Sequence, residues 1–124
     1  HANTWQGSFP MENNPEDGYP GLAPVGCFEP NDYGVYDLIG NVWEWTSNWY
    51  LPKHDPADSL NPIGPSQQES FGSSNGDSAA RVIKGGSYLC AENYCLRYRP
   101  AARQAQESGL GTSHIGFRTV LSPD

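Results

Sequence analysis

The sequence predicts a loop-rich α+β domain with a small antiparallel sheet and little regular secondary structure. Glycine and proline supply 14 and 11 of its 124 residues, which leaves little room for long regular elements. Aromatic residues make up 12% of the chain, although hydrophobic residues as a whole reach only 36%. A core of Trp and Tyr rings with loops packed around them accounts for both proportions.

The first strand is predicted from a tryptophan pattern. The N-terminal third is rich in Asn, Gly and Pro and is expected to be irregular. Within residues 41–50, Trp43, Trp45 and Trp49 fall on one face of a strand, and the last two are expected to be core residues. Residues 51–80 form a long polar stretch that is predicted to be a loop.

Three short elements are predicted in the C-terminal third. Residues 81–84 form a strand that leads into a Gly-Gly turn. Residues 98–104 hold one short helix, interrupted early by Pro100, and residues 115–121 form a closing strand. The whole pattern fits a single domain over residues 1–124, or part of a larger one.

Charge and hydropathy argue against two classes of function. The formal net charge of −7 and the lack of a basic stripe argue against a nucleic-acid-binding protein. Acidic loops would instead attract divalent cations or a positively charged substrate segment. No apolar run is long enough to span a membrane, and nothing resembles a signal peptide. Because the chain starts with His1 rather than Met, we expect a processed or excised piece.

The cysteines are the most reactive candidate residues. Three is an odd number, so a complete set of internal disulfides is impossible and a reducing compartment is favoured. Cys27 is expected to be a small buried hydrophobic residue. Cys90 and Cys95 lie five residues apart, and the two arginines that follow, Arg97 and Arg99, are expected to lower the pKa of these thiols.

From spacing alone, three interpretations of the Cys90–Cys95 pair stay open. The two thiols form a disulfide or are unrelated buried groups, they act as a redox dithiol without the usual C-x-x-C spacing, or they bind a metal. Two soft thiolates favour Cu(I). Zinc usually takes four ligands, and no further Cys or His lies nearby at zinc-finger spacing.

Two groups of oxygen-bearing side chains are candidate calcium ligands. Asp37 and Glu44 flank a tight turn, and Asn3 and Asp17 could form a second cluster. Calcium mixes carboxylates with carbonyl oxygens, although neither spacing matches an EF-hand. Ordinary solvated carboxylates are the alternative at both places.

Three motifs stand out together: GGSYLCAENYCLRYR at residues 85–99, GNVWEW at residues 40–45 and GFR at residues 116–118. They resemble the formylglycine-generating enzyme (sulfatase-modifying factor) family. The resemblance runs through nearly the whole chain but covers only the C-terminal part of the family's domain. It implies a fold related to the C-type lectins, mostly irregular with short strands.

The resemblance implies a specific reaction and a specific site. Cys90 and Cys95 match two cysteines that bind Cu(I) and are essential in this family, and Ser87 matches a serine of the active site. The implied reaction is oxidation by O₂ of a cysteine, in an unfolded Cys-x-Pro-x-Arg segment of a sulfatase polypeptide, to Cα-formylglycine. The implied substrate contacts are Trp43, Tyr94 and Arg97.

The resemblance also implies two structural calcium ions. The first would be bound by Asp37, Glu44 and the carbonyl oxygens of Gly40 and Val42. The second would be bound by Asn3, Asp17 and the carbonyl oxygens of Thr4 and Tyr19. Asp37 stands where some members have asparagine, but it keeps an oxygen ligand.

Several positions depart from the family pattern or belong to its wider superfamily. Pro100 and Thr119 stand where eukaryotic members carry cysteines of structural disulfides, which points to a bacterial-type, cytoplasmic member. The GFR motif also occurs in non-enzymes, so Arg118 is expected to be a structural hydrogen-bonding hub. His114 is expected to be a structural histidine.

Other functions stay open beside the oxidase. A non-catalytic, lectin-like binding module of the same superfamily keeps the tryptophan strand and the GFR motif but lacks the cysteine pair. The partner domain of an iron-dependent sulfoxide synthase shares the fold, but its iron-binding histidines lie in a separate helical domain. A fragment without activity is a further alternative.

Overall fold

The fold is a four-stranded sheet surrounded by turns. The computed structural model describes residues 1–54, 56–60, 62–73, 78–95, 97–99 and 101–121. In chain order its elements are β1 (Trp43–Trp49), a 3-10 helix (Pro56–Ser59), α1 (Gln67–Ser73), β2 (Ala80–Lys84), β3 (Gln104–Glu107) and β4 (Ile115–Gly116). The prediction of a loop-rich α+β domain is confirmed. In the described ranges, no helix is long and apolar enough to cross a membrane.

The strand order in the sheet is β3-β2-β1-β4. The β1–β2 pair is antiparallel, as predicted, and the β2–β3 pair, which was not predicted, is antiparallel as well. The β1–β4 pair is parallel, with Trp43 opposite Ile115, so the sheet is mixed rather than wholly antiparallel. The difference arises because the chain crosses from the β3 edge to the opposite edge before β4 begins, and it then runs in the direction of β1.

Two of the predicted strands are confirmed and one is shorter than predicted. Strand β1 lies within the predicted segment 41–50. Strand β2 covers the predicted segment 81–84 and begins one residue before it. The strand predicted over residues 115–121 is only two residues long. It ends there because the chain turns away and Arg118 reaches back to Glu44.

The helix predicted over residues 98–104 is wrong. Residues 98, 99 and 101–103 are not helical, and Gln104 begins β3; Pro100 lies outside the described residues. Residues 104–107 pair with the open edge of β2, from Ala80 to Ile83. Pairing with this edge outweighs the weak helix preference of the Ala-Ala-Arg sequence.

A bulge in β1 redistributes the three tryptophans. Trp45 lies opposite Ile83 and Trp49 opposite Arg81, so the register shifts between them. Trp43 is only 3% exposed and lies in the core with Ile83, whereas Trp45 is partly buried against that core. The prediction that Trp49 is a core residue is wrong, since it is partly exposed and the Arg81 guanidinium covers its ring at 4.0 Å.

Helix α1 lies in the stretch predicted to be a loop. Its start is a capping box: the Glu69 amide donates to Ser66 Oγ (3.3 Å), and the Ser66 amide donates to Glu69 Oε2 (2.7 Å). Ser70 is fully buried and donates through Oγ to the carbonyl of Ala80 (2.8 Å), which fixes the helix to β2. The sequence Ser-x-x-Glu was the signal for this helix.

The N-terminal segment is tied to the turn that precedes β1. The Asn41 amide donates to the Asn3 carbonyl (2.8 Å), and the Asn41 carbonyl accepts from the Tyr88 amide (2.9 Å). The Trp5 amide donates to the carbonyl of Cys90 (3.2 Å). These backbone bonds hold the N-terminus and the turn before β1 against the cysteine segment.

Candidate metal centre

The two cysteines predicted as a pair are brought together by a tight turn. The Cys90 amide donates to the Ser87 carbonyl and the Cys95 amide to the Ala91 carbonyl, both at 2.9 Å. Both thiols are free, and Cys90 lies close enough to raise the pKa of the Cys95 thiol. Cys90 is 2% exposed, whereas Cys95 is half-buried. One sulfur therefore belongs to the core and the other faces outward.

The inner wall of the pair is the hydrophobic core. Cys90 packs in one cluster with Trp43 and Ile83, so Trp43 supports the pair from inside rather than from the solvent side. Gly86 has a φ of 75°, and a Cβ there would lie 2.8 Å from a ring carbon of Tyr98 and 3.7 Å from Cys90 Sγ. Only glycine fits this close approach at low energy.

Tyr98 closes the turn that carries the cysteines. Its hydroxyl lies within hydrogen-bond distance of two carbonyl oxygens, that of Ser87 (2.8 Å) and that of Cys90. Burial raises the pKa of the Tyr98 hydroxyl well above its ordinary value, so the group stays a donor. No role was predicted for Tyr98, because its partners are carbonyl oxygens that only the folded turn brings near.

Ser87 is 1% exposed, and its hydroxyl accepts a bond from the Leu89 amide (3.3 Å). In this conformation the side chain stabilises the turn. Its role in catalysis stays a prediction.

The electrostatics of Cys95 differ from the expectation drawn from the arginines. Burial, followed by the neighbouring Cys90 thiol, raises the pKa of the Cys95 thiol to about 11, and Arg97 offsets this rise only in part. The expected lowering is therefore wrong for the thiol without a metal. A metal ion reverses this balance, because it replaces the proton as the positive partner of the sulfur.

The donor set suits a metal of low coordination number. Within the described ranges no group of three or more His, Cys, Asp or Glu side chains is placed to hold an ion. Two sulfur donors without a third protein ligand fit Cu(I) and do not fit a four-coordinate zinc site. The residues present are therefore compatible with copper.

The outer side of the pair opens onto a cleft of about 460 Å³. Tyr94, 69% exposed, stands at its edge and stacks on Phe9 with ring centroids 4.6 Å apart. Arg97 lines the same cleft and lowers the pKa of the Cys95 thiol in part. Of the three predicted substrate contacts, Tyr94 and Arg97 face this open side, and Trp43 lies behind the pair.

The first predicted calcium group is held by an arginine. Arg118 Nε donates to Glu44 Oε2 (2.6 Å) and its Nη2 to Glu44 Oε1, while further bonds reach the carbonyls of Tyr36 and Asp37. The Asp37 carboxylate accepts from the Gly26 amide (2.7 Å). The prediction that Arg118 is a hydrogen-bonding hub is confirmed. The guanidinium already neutralises Glu44, so this set with Gly40 and Val42 does not fit an ion as it stands.

The second predicted calcium group contains an unpaired oxygen. Asn3 is 1% exposed, and its Oδ1 has no hydrogen-bond partner. Asp17 is tied to the residue that follows Asn3: its two carboxylate oxygens accept from the amides of Thr4 (3.0 Å) and Tyr19 (2.9 Å). A buried amide oxygen without a donor is costly, and a bound cation would satisfy it. This set fits calcium.

Cys27 is exposed, so the prediction that it is buried is wrong. Its thiol lies near the hydroxyl of Tyr19 and raises the pKa of that hydroxyl. The exposure of Cys27 fits its surroundings, since Val25 is also exposed, at 88%.

His114 contributes its carbonyl to the sheet, where it accepts from the Trp43 amide (2.8 Å).

The fold and the site define a small loop-rich α+β domain with a free dithiol between its core and an open cleft. Comparison with known proteins then identifies the family: the Sulfatase-modifying factor enzyme 1-like domain matches residues 1–123. The chain belongs to this family.

The relatives include proteins named as formylglycine-generating enzymes and proteins named as inactive. The chain is 47% identical over 118 residues to the formylglycine-generating enzyme of Mus musculus, covering 95% of this chain and 29% of that protein. It is 44% identical over 126 residues to the enzyme of Thermomonospora curvata, covering 98% and 38%. It is 59% identical over 124 residues to the inactive C-alpha-formylglycine-generating enzyme 2 of Mus musculus, covering 98% and 33%. The chain thus spans about a third of their lengths.

A solved structure supports the fold. Treponema denticola variable protein 1 superposes with a TM-score of 0.57 at 30% identity, covering 81% of this chain and 32% of that one.

Proposed function

We propose that the chain is the cysteine-bearing part of a copper-dependent oxidase, which converts a cysteine in a sulfatase Cys-x-Pro-x-Arg segment to Cα-formylglycine with O₂. The observation that carries the proposal is the pair itself: Cys90 is held in the core, Cys95 lies beside an open cleft, and both thiols are free and close enough for Cys90 to raise the pKa of the Cys95 thiol. Family membership and the names of the active relatives support sulfatase modification.

The two cysteines have different roles in this proposal. Cys90 fixes the position of the site, because its side chain is packed against Trp43 and Ile83 and cannot swing outward. Cys95 borders the cleft and presents its sulfur to an incoming peptide. Copper, when bound by both sulfurs, supplies the one-electron chemistry that O₂ requires.

The remaining residues position the substrate and the turn. Tyr94 offers an exposed ring, backed by Phe9, against which a peptide can pack. Arg97 offers hydrogen-bond donors next to Cys95. Tyr98 and Gly86 keep the turn closed, so that the sulfurs stay at a fixed separation.

We propose one structural calcium ion, at Asn3 and Asp17 with the carbonyl oxygens of Thr4 and Tyr19. The unpaired Oδ1 of Asn3 supports it. Free thiols at all three cysteines support a cytoplasmic location.

Mass spectrometry of a Cys-x-Pro-x-Arg peptide, incubated with the protein, Cu(I), a thiol reductant and air, tests the function. The expected result is conversion of the peptide cysteine to the aldehyde, lost in Cys90→Ser and in Cys95→Ser. Cys27→Ser is the matched control and should keep full activity, because Cys27 is exposed and lies outside the pair. Full activity of Cys90→Ser would contradict the two-sulfur site.

A non-catalytic binding module is the second candidate. The 59% identity to proteins named as inactive favours it. In that case the peptide would bind but stay unmodified, and Cys90→Ser and Cys95→Ser would bind it as well as the unaltered protein. The peptide assay and a binding measurement together separate the two functions.

A further inference from the structure

One cleft concentrates positive charge on a negatively charged protein. The chain has 14 acidic and 7 basic residues and a formal net charge of −7. Three of those seven, Arg97, Arg99 and Arg103, line the cleft beside Cys95, and none of the residues described there is acidic. Like charges gathered in one cleft repel each other, so the arrangement costs energy unless an anion lies between them.

The three guanidinium groups have few partners of their own. None is ion-paired with a carboxylate within the described part of the chain. Arg97 Nη1 donates to the backbone carbonyl of Arg103 (3.3 Å), and the Arg103 guanidinium lies 5.2 Å from the ring centroid of Tyr50. These contacts hold two of the arginines in place, yet each guanidinium carries five N–H donors. Most of the donors are therefore available to a ligand.

The arginines stand next to the sulfur that a substrate would reach. Arg97 and Cys95 line the same cleft, and Arg97 lies near enough to lower the pKa of the Cys95 thiol. The cleft has a volume of about 460 Å³ and is bordered by the exposed ring of Tyr94. An extended peptide rises about 3.4 Å per residue, so a roughly equidimensional cleft of this volume is long enough for roughly two to three residues. A peptide that brings its cysteine to Cys95 would place its neighbouring residues here.

We propose that this arginine cleft is a carboxylate-binding subsite, which takes an acidic side chain located about two to three residues from the substrate cysteine. The inference rests on the proposed function, since it takes the ligand to be part of that substrate. Guanidinium groups bind carboxylates through paired, parallel hydrogen bonds, which gives direction as well as attraction. Lysines would give the attraction without this direction.

A glutamate scan of the substrate tests the subsite. Single Glu residues are placed at each position around the Cys-x-Pro-x-Arg segment, with Ala at the same position as the reference. We expect one position at which Glu lowers KM about three- to tenfold at low salt while kcat is unchanged, because the subsite binds without touching the reacting atoms. The gain should shrink in concentrated salt, because Arg97 and Arg99 are exposed.

Variants of the cleft tie the effect to these arginines. Arg99→Gln and Arg103→Gln should each reduce the preference for Glu, and Arg99→Glu should favour a Lys-bearing peptide instead. Arg81→Gln removes the same charge from β2, where the guanidinium lies over Trp49, and should keep the preference. Persistence of the preference in Arg99→Gln and Arg103→Gln would overturn the proposal.

The two proposals fail in different ways. If the Ala reference peptide is converted but Glu improves it at no position, the subsite is wrong and the oxidase stands. If no peptide is converted, fluorescence anisotropy of labelled Glu and Ala peptides still tests the subsite. Equal affinities in that measurement would refute it. Competition by inorganic sulfate that abolishes binding of both peptides equally would assign the cleft to small anions instead.

Discussion

Replacing Asn41 with alanine tests how the N-terminal segment is held against the strand that supports the cysteines. Asn41 is 6% exposed, and its Oδ1 accepts from the Ala23 amide (3.0 Å) and from Asn3 Nδ2 (3.1 Å). Its Nδ2 donates to the Ala23 carbonyl (3.1 Å). The backbone of Asn41 has a φ of 57°, in the left-handed region that Asn tolerates better than Ala.

The structure sets the size of the effect. Asn41→Ala removes these partners from both backbone groups of buried Ala23, at about 1–3 kcal/mol for each group. Holding alanine in the left-handed region adds about 1 kcal/mol. Asn3 keeps its bond to the Gly21 carbonyl, so it adds little. Because water can enter the gap, we expect a loss of about 3–5 kcal/mol, which lowers Tm by roughly 12–20 °C at roughly 4 °C per kcal/mol.

Urea unfolding followed by tryptophan fluorescence measures the free energy directly. Asn93→Ala is the matched control, because Asn93 makes the same two-way contact with the backbone of Phe9, at 3.3 and 3.4 Å, on the surface. Water replaces those bonds, so the control should lose less than about 1 kcal/mol. Equal losses in the two variants would refute the reasoning that burial of the amide sets the cost.

Three further predictions concern the thiols, a turn and the calcium group. In the metal-free protein, Cys95 should react with iodoacetamide more slowly than exposed Cys27 at pH 8, and its rate should rise until the pH approaches its pKa of about 11. Equal labelling at pH 8, read by mass spectrometry, would contradict this. Gly86→Ala should lower the free energy of unfolding by at least about 2 kcal/mol, since the new Cβ meets a tyrosine ring at 2.8 Å. Gly109→Ala, which meets nothing within 4 Å, should have little effect. A calcium chelator should lower Tm of the protein but not of Asp17→Asn, and an unchanged Tm of the unaltered protein would count against the ion.

Local patterns predicted the strands at the centre of the sheet. The alternating aromatic residues of 41–50 predict β1 without information from the rest of the chain. The short segment 81–84 before the Gly-Gly turn predicts β2 in the same way. The bulge between Trp45 and Trp49 was not predictable, because it depends on the register with β2. For the same reason, the burial of Trp43 rather than Trp49 emerged only in the structure.

The errors in secondary structure have two different causes. Strand β3 replaces the predicted helix because the free edge of β2 supplies partners that no local pattern contains. Helix α1 could have been predicted, because Ser66 and Glu69 are spaced as a capping box. Helix α1 was missed because the residues around it are mostly polar, which favoured the prediction of a loop.

The spacing of the two cysteines predicted that they lie close together, but it did not predict which residues surround them. A separation of five residues suffices to place Cys90 and Cys95 in one turn. The difference in burial between them, and the closing role of Tyr98, depend on segments distant in the chain. The third arginine of the cleft, Arg103, was missed because only the fold turns it toward Cys95.

The long-range connections around Cys90 set the order in which the molecule can assemble. The Cys90 carbonyl is bonded to Trp5 near one end of the chain, and Trp43 beside it is paired with Ile115 near the other. Closing such large loops is slow, because their entropy is lost before the contacts form. Until these loops have closed, the two thiols therefore stay open to solvent. The burial that shields Cys90 from air is therefore gained only when segments distant in the sequence have docked.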